Sequence, residues 1–319
     1  MDNILEIKNL DLFFNINDKE YQALYNINLD FERGKLHSVV GESGCGKTMT
    51  MMSVLRLLPK SAFIKNGEIL FNGENLLDYK ESKMREIRGN RIALIPQDPM
   101  TSLNPLYTVG NQLIEAIKTH RKVSNHQALR KAREVMDLVK IQDADNKLKM
   151  YPHEFSGGMK QRIIIGMALA CNAELIIADE PTTALDVTIQ KQIMDLISEI
   201  QKEYKTTVIL ISHDLALVSN YADTVTVMYS GKIAEKAQSK EFFENTRHPY
   251  SIALLNSLPG DSSKAKLKMI KGAPPNIQEI ITGCKFHPRC EYFQHGLCDK
   301  EIPDLEEKNH EHFTACFKV

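Results

Sequence analysis

An eight-residue loop, GESGCGKT from Gly41 to Thr48, lies between the apolar run LHSVV and the segment TMTMMSVLRLL. That order calls for a buried strand, a tight loop and a helix in succession, the unit from which α/β folds are built. Gly41, Gly44 and Gly46 carry no Cβ, so backbone N–H groups can curl round phosphate oxygens. The positive end of the following helix points at the same place. Glu42, Ser43 and Cys45 fill the other loop positions, Lys47 is set to bridge β- and γ-phosphates, and Thr48 to ligate Mg²⁺.

A second cluster lies more than a hundred residues on. FSGGMKQR places Ser156, Gly157 and Gly158 at the start of an apolar helix, RIIIGMALA, offering a hydroxyl, bare N–H groups and a helix N-terminus to a γ-phosphate. Alone, this would read as an ordinary serine N-cap and glycine turn. It is followed by the apolar strand LIIAD, which ends in Asp179 with Glu180 next, and later by TTVILIS, with His213 directly after it. An acidic pair directly after four apolar residues calls for a strong local cation.

Between and around these clusters the periodicities change. LEIKNLDLFFNI, YNINLDF and GEILFNGENLL alternate apolar and polar residues as antiparallel strands do. VGNQLIEAIKTH and NHQALRKAREVMDLVKI repeat apolar residues at helical spacing. The helix VTIQKQIMDLISEIQKEY should bury Ile189, Ile193, Leu196, Ile197 and Ile200 on one face against a sheet. No internal repeat is visible, and there is one phosphate loop per chain.

Phosphate loop, Gln97 in IPQDP, SGG, the acidic strand end and the strand-end histidine occur in the order seen in ATP-binding cassette (ABC) proteins, and residues 1–245 resemble that family. The resemblance implies a P-loop NTPase (RecA-like) α/β core with an antiparallel β-subdomain and an α-helical subdomain at about 98–160. Asp179 then resembles the carboxylate that holds Mg²⁺, Glu180 the base for the attacking water, His213 the γ-phosphate switch, and Gln97 the sensor of Mg²⁺ and water. Ala184, Leu185 and Asp186 resemble the loop that crosses to a partner cassette. Phe14 falls nearest the family's adenine-stacking aromatic, with Phe13 and Tyr21 as alternatives. Met159 stands where the family signature usually has glutamine, a variant familiar in oligopeptide and dipeptide importers.

Residues 246–319 carry a second resemblance. RHPYSIALLNSLP, KGAPPN and CKFHPRC are similar to the C-terminal extension of the oligopeptide, dipeptide and nickel importer ATPases. Of six cysteines, Cys284, Cys290, Cys298 and Cys316 fall here, spaced C-x5-C-x7-C-x17-C. In a cytosolic chain such clustering favours metal over disulfides. The spacing is wider than common zinc arms and resembles importers whose cysteines hold a 4Fe-4S cluster; zinc and unligated thiols stay open as alternatives.

These resemblances imply an ATPase subunit at the cytoplasmic face of a cell membrane, importing peptides with ATP and Mg²⁺. Its expected partners are two permease chains, a second ATPase and, indirectly, an extracytoplasmic substrate-binding protein. The same machine could carry nickel or a metal chelate, and a soluble ABC ATPase acting on nucleic acid is the alternative of another class. A net charge of −1 gives no reason to expect a nucleic-acid partner. No run of eighteen apolar residues and no secretory signal appear, so membrane attachment is expected through partners.

Overall fold

The computed structural model describes residues 2–183, 185–257 and 270–319. Its strands are β1 (Asn3–Ile16), β2 (Lys19–Glu32), β3 (Leu36–Val40), β4 (Ala62–Phe71), β5 (Glu74–Asn75), β6 (Ile92–Ile95), β7 (Leu175–Asp179), β8 (Thr207–Ser212), β9 (Thr224–Tyr229), β10 (Lys232–Gln238), β11 (Glu306–Asn309) and β12 (His312–Thr314). Helices α1 (Lys47–Leu55), α2 (Glu81–Ile87), α3 (Pro99–Ser102), α4 (Val109–His120), α5 (Asn125–Leu138) and α6 (Ala144–Lys147) precede α7 (Gly157–Leu169), α8 (Val187–Tyr204), α9 (Leu215–Tyr221), α10 (Ser239–Asn245) and α11 (Pro249–Asn256). The chain forms two compact units.

The first unit holds residues 1–32, 36–77 and 211–319. β1 pairs antiparallel with β2 and with β4, and β5 closes the far side of β4. The β1–β2 turn at Asn17 and Asp18 has positive φ at both residues, the conformation a two-residue hairpin needs and these side chains tolerate. Strand β4 begins at Ala62, ahead of the expected GEILF, because Ala62 and Phe63 pair with Phe14 and Phe13 of β1. β3 is buried along its whole length and runs parallel to β9, as a strand feeding a phosphate loop must. β9 turns back into β10 through Ser230 and Gly231. The tail then adds β12 beside β10 and β11 beside β12, both antiparallel. None of this pairing was readable from the polar segment EEKNHEHFT.

In the second unit, residues 33–35 and 78–210, β6 and β7 are parallel and β8 lies next to β7. The helical segment is built on α4, α5 and α7, with the short α3 and α6 against them. Val109, Leu113 and Ile117 of α4 and Ala128, Ala132, Val135 and Met136 of α5 are buried, as their spacing requires. Thr108 caps α4, and Ser124 with Gln127 forms a capping box on α5. α8 buries Ile193, Met194, Leu196, Ile197 and Ile200, whereas Ile189 is only half-buried. The first helix also stops earlier than the apolar run: Arg56 adopts φ 51°, ψ 40° and ends α1 at Leu55.

Candidate active site

In the first unit, the loop from Gly41 to Thr48 leads from β3 into α1. Gly41 has φ 149°, and a Cβ there would stand 2.2 Å from the carbonyl oxygen of Met228 on β9. Glycine is therefore required by contact as well as by conformation. The far side of the loop is tied by Gly231, whose N–H donates to the Cys45 carbonyl at 2.9 Å. Gly46, at φ 108°, precedes α1, and no side chain caps that helix. Its first N–H groups are thus directed to an anion by geometry.

Lys47 is buried and folds back on its own loop, with Nζ donating to the carbonyls of Gly41 at 2.7 Å and Glu42 at 3.0 Å. Cys45 Sγ lies 3.7 Å from the same Nζ, and burial pushes its thiol pKa up despite the nearby cation. Ser43 and Gly44 are exposed, and Thr48 is partly buried at the second position of α1.

In the second unit, Asp179 closes β7 and is only 4 % exposed. Glu180 follows with φ 47°, a left-handed conformation that costs a side-chain-bearing residue about 1–2 kcal/mol. Gln97 Nε2 donates to its Oε2 at 3.0 Å, and Thr183 Oγ1 to the same oxygen at 3.1 Å. Two sequence-derived candidates 83 positions apart therefore meet directly. Oxygen donors of this kind have the chemistry that suits a hard cation such as Mg²⁺.

Ser156 is exposed and accepts from the Met159 N–H at 3.4 Å as N-cap of α7. A Cβ on Gly158 would sit 2.7 Å from Cγ2 of Ile189, so the first turn of α8 packs directly on the bare glycine. Ile189 itself stays only half-buried there. Asp186 caps α8, accepting from the Ile189 N–H at 3.0 Å. Leu185 lies just ahead of it, and Ala184 is outside the described residues. His213 is exposed and directly follows Ser212, the last residue of β8.

Of the aromatic candidates, Phe13 stacks on Phe63 with ring centroids 6.0 Å apart and carries Lys65 Nζ 4.7 Å from its ring. Phe14 and Tyr21 face each other in the β1–β2 register.

Cys284, Cys290, Cys298 and Cys316 line one pocket together with His248, Phe286 and Tyr292. Burial, reinforced by the other thiols, pushes Cys284 up to about 11 and raises Cys290 and Cys316. Among the described residues no group of three or more His, Cys, Asp or Glu side chains is arranged to hold a metal ion as it stands.

Sequence reasoning missed a contact between tail and phosphate loop. Arg289, in the tail segment CKFHPRC, grips Glu42 with two prongs: Nη1 donates to Oε2 at 2.6 Å and Nη2 to Oε1 at 2.9 Å. The pairing raises the arginine's pKa above its already high value. Tyr250 of α11 accepts from the Glu42 N–H at 2.8 Å, and its ring packs with Tyr229 and Phe286 at 4.6 and 5.3 Å. Partners 247 positions apart leave no local signal.

Comparison with known proteins identifies the family. The ABC transporter family model matches residues 24–183, and the model for the oligopeptide/dipeptide transporter C-terminal region matches residues 234–298. The chain is 47% identical to the probable peptide ABC transporter ATP-binding protein y4tR of Sinorhizobium fredii, covering 99% of this chain and 95% of that one. It is 44% identical to the dipeptide transport ATP-binding protein DppD of Bacillus subtilis, over 99% and 95%, and 42% identical to the oligopeptide transport ATP-binding protein OppD of Escherichia coli, over 99% and 94%. Among solved structures, cbiO1 of Clostridium perfringens, part of the ABC transporter complex cbiONQ, superposes with TM-score 0.65 at 28% identity over 77% of this chain and 92% of that one. The ATP-binding cassette MJ0796 shares the fold at TM-score 0.66 and 24% identity, over 74% and 98%. The chain therefore belongs to the ABC transporter family, as an ATP-hydrolysing subunit of its oligopeptide/dipeptide branch.

Proposed function

We propose that this subunit energises import of peptides across the cytoplasmic membrane, bound peripherally to two permease chains and paired with a second ATPase. A substrate-binding protein on the far side would supply the cargo. The observation that carries this reading is near full-length identity of 42–47% to proteins named for peptide, dipeptide and oligopeptide transport. No helix among the described residues is long and apolar enough to cross a membrane, so attachment falls to partners. Met100, Leu106 and Tyr107, exposed on the segment after Gln97, offer an apolar surface for a permease.

In the reaction, the loop N–H groups and Lys47 bind the phosphates of ATP. When Lys47 exchanges the Gly41 and Glu42 carbonyls for phosphate oxygens, its buried ammonium gains a full counter-charge. Ser156, Gly157 and Gly158 of the partner cassette close on the same γ-phosphate, giving a head-to-tail dimer. Glu180 takes the proton of the attacking water, positioned by Gln97, and His213 contacts the γ-phosphate. Thr48, Asp179 and Gln97 would hold Mg²⁺, which supplies neutralisation of phosphate charge. Phe14 or Tyr21 stacks on adenine, since the Phe13 ring is already engaged by Phe63.

The four tail cysteines fit a thiolate-bound group in their donor chemistry and shared pocket, and a 4Fe-4S cluster is the proposed occupant, with zinc as the alternative. A bound cation would reverse the upward shift that burial imposes on these thiols. Anaerobic purification with iron, sulfide and zinc analysis distinguishes the two, and stoichiometric zinc would overturn the cluster. The transport reading is tested by reconstituting the complex in vesicles and measuring ATP-dependent uptake of labelled peptides. Uptake of nickel or a metal chelate instead would change the cargo, and ATPase activity stimulated by DNA without permeases would overturn transport.

A further inference from the structure

Glu42 occupies a position that the phosphate-loop motif leaves open, and a carboxylate there brings negative charge to a loop built for phosphate. Like charges brought together disfavour binding, so this carboxylate needs a permanent counter-charge. Arg289 supplies it. The guanidinium is 6 % exposed and the carboxylate 23 %, so solvent screens the pair only in part. Nε of the same guanidinium donates to the Lys271 carbonyl at 2.9 Å, and Nη2, which also reaches Glu42, donates to the Gly272 carbonyl at 3.1 Å, both in the KGAPPN connector. The cation is therefore held in place from behind and cannot swing to another anion without leaving those carbonyls.

Glu42 is gripped at three points. Arg289 holds its side chain, the Tyr250 hydroxyl its N–H, and Lys47 reaches its carbonyl. Two of these anchors, Arg289 and Tyr250, come from the C-terminal tail, outside every nucleotide motif of the sequence. We infer that Arg289 is a positioning residue for nucleotide binding: it neutralises Glu42 and fixes the phosphate loop, so that ATP affinity depends on the tail. This rests on the reading of Gly41 to Thr48 as the ATP phosphate site. The hydrolytic groups Gln97 and Glu180 lie elsewhere in the sequence and pair with each other, so the effect falls on binding rather than on the chemical step.

The test uses the full chain and titrates a fluorescent ATP analogue, displaced by ATP, at low and high salt. R289A should weaken ATP binding about tenfold, since breaking a partly buried pair leaves an uncompensated charge. The deficit should shrink as salt rises. Removing the stranded charge in E42Q/R289A should bring affinity back to within about threefold of the parent, a rescue that lost packing alone would not give. In the assembled transporter, KM for ATP should rise while kcat at saturating ATP changes less than about twofold. R289Q, of similar length and without charge, carries the test where R289A does not fold. Parent-like affinity in a folded R289A or R289Q overturns the inference, as does a double variant that binds no better than R289A. K47A serves as reference: if it binds ATP as the parent does, the loop reading itself fails, whereas loss in K47A with none in R289A defeats only the role of Arg289.

Discussion

Replacing Phe286 by alanine should free the tail from the phosphate loop. Phe286 is 3 % exposed, and its ring lies 5.2 Å from Tyr229 and 5.3 Å from Tyr250, two residues that themselves pack at 4.6 Å. Removing a buried phenylalanine forfeits about 3 kcal/mol of burial. Each aromatic contact adds about 0.5 kcal/mol or more beyond area. A loss of about 4 kcal/mol results, within the range for phenylalanine-to-alanine changes in cores. If this energy holds the tail closed, the open population rises about a thousandfold. Limited trypsin digestion reads that population when opening is fast relative to cleavage, and Arg289 is itself a cleavage site in the affected turn. Phe286→Leu keeps most of the volume and should cost less than about 1.5 kcal/mol, with digestion close to that of the parent. ATP affinity should fall in F286A, because Arg289 and Tyr250 would no longer meet Glu42. Tail cleavage within about threefold of the parent, with unchanged urea resistance, would refute the argument that this aromatic cluster fastens the tail.

Glu180→Gln keeps the shape that accepts from Gln97 and Thr183 but removes the base; ATP binding should persist while turnover drops about a hundredfold or more, and substantial residual hydrolysis would remove Glu180 from that role. Ser156→Ala removes the cap of α7 at a cost of about 1 kcal/mol, and should abolish ATP-induced pairing of cassettes in size-exclusion chromatography while leaving ATP binding to Lys47 intact. His37 is buried between Thr224 Oγ1 at 2.7 Å and the Glu32 carbonyl at 2.9 Å, and burial lowers its pKa below 6.5. The unfolded chain then binds the extra proton first, so this contribution is fully present above the unfolded value and is lost as pH falls below 6.5. Urea midpoints of the parent should drop more between pH 7.5 and 5.5 than those of His37→Asn, and parallel slopes would count against the assignment.

Much of the cassette was legible because its signals are local. A strand, a glycine loop and a helix in succession are set by adjacent residues, and β3, the loop from Gly41 and α1 follow in that order. β7 ends at Asp179 and β8 just before His213, where the apolar runs stop. The helix boundaries of α4 and α7 agree with their Thr108 and Ser156 caps. The reading slipped at two helix ends. Ile189 matches the helical stripe by spacing, yet it covers Gly158 at the N-terminal turn. The apolar run after Thr48 continues to Leu58, but the left-handed Arg56 ends the helix at Leu55.

The sequence by itself determined the phosphate loop, the acidic strand end, the signature serine and glycines and the order in which they occur, because each depends on residues within a few positions of one another. Tertiary structure alone decided that Gln97 meets Glu180, that the polar segment EEKNHEHFT becomes strands beside β10, and that Arg289 neutralises Glu42. A salt bridge or a cross-strand pair depends on the path of the whole chain. Its partners carry no mark of each other until folding has brought them together.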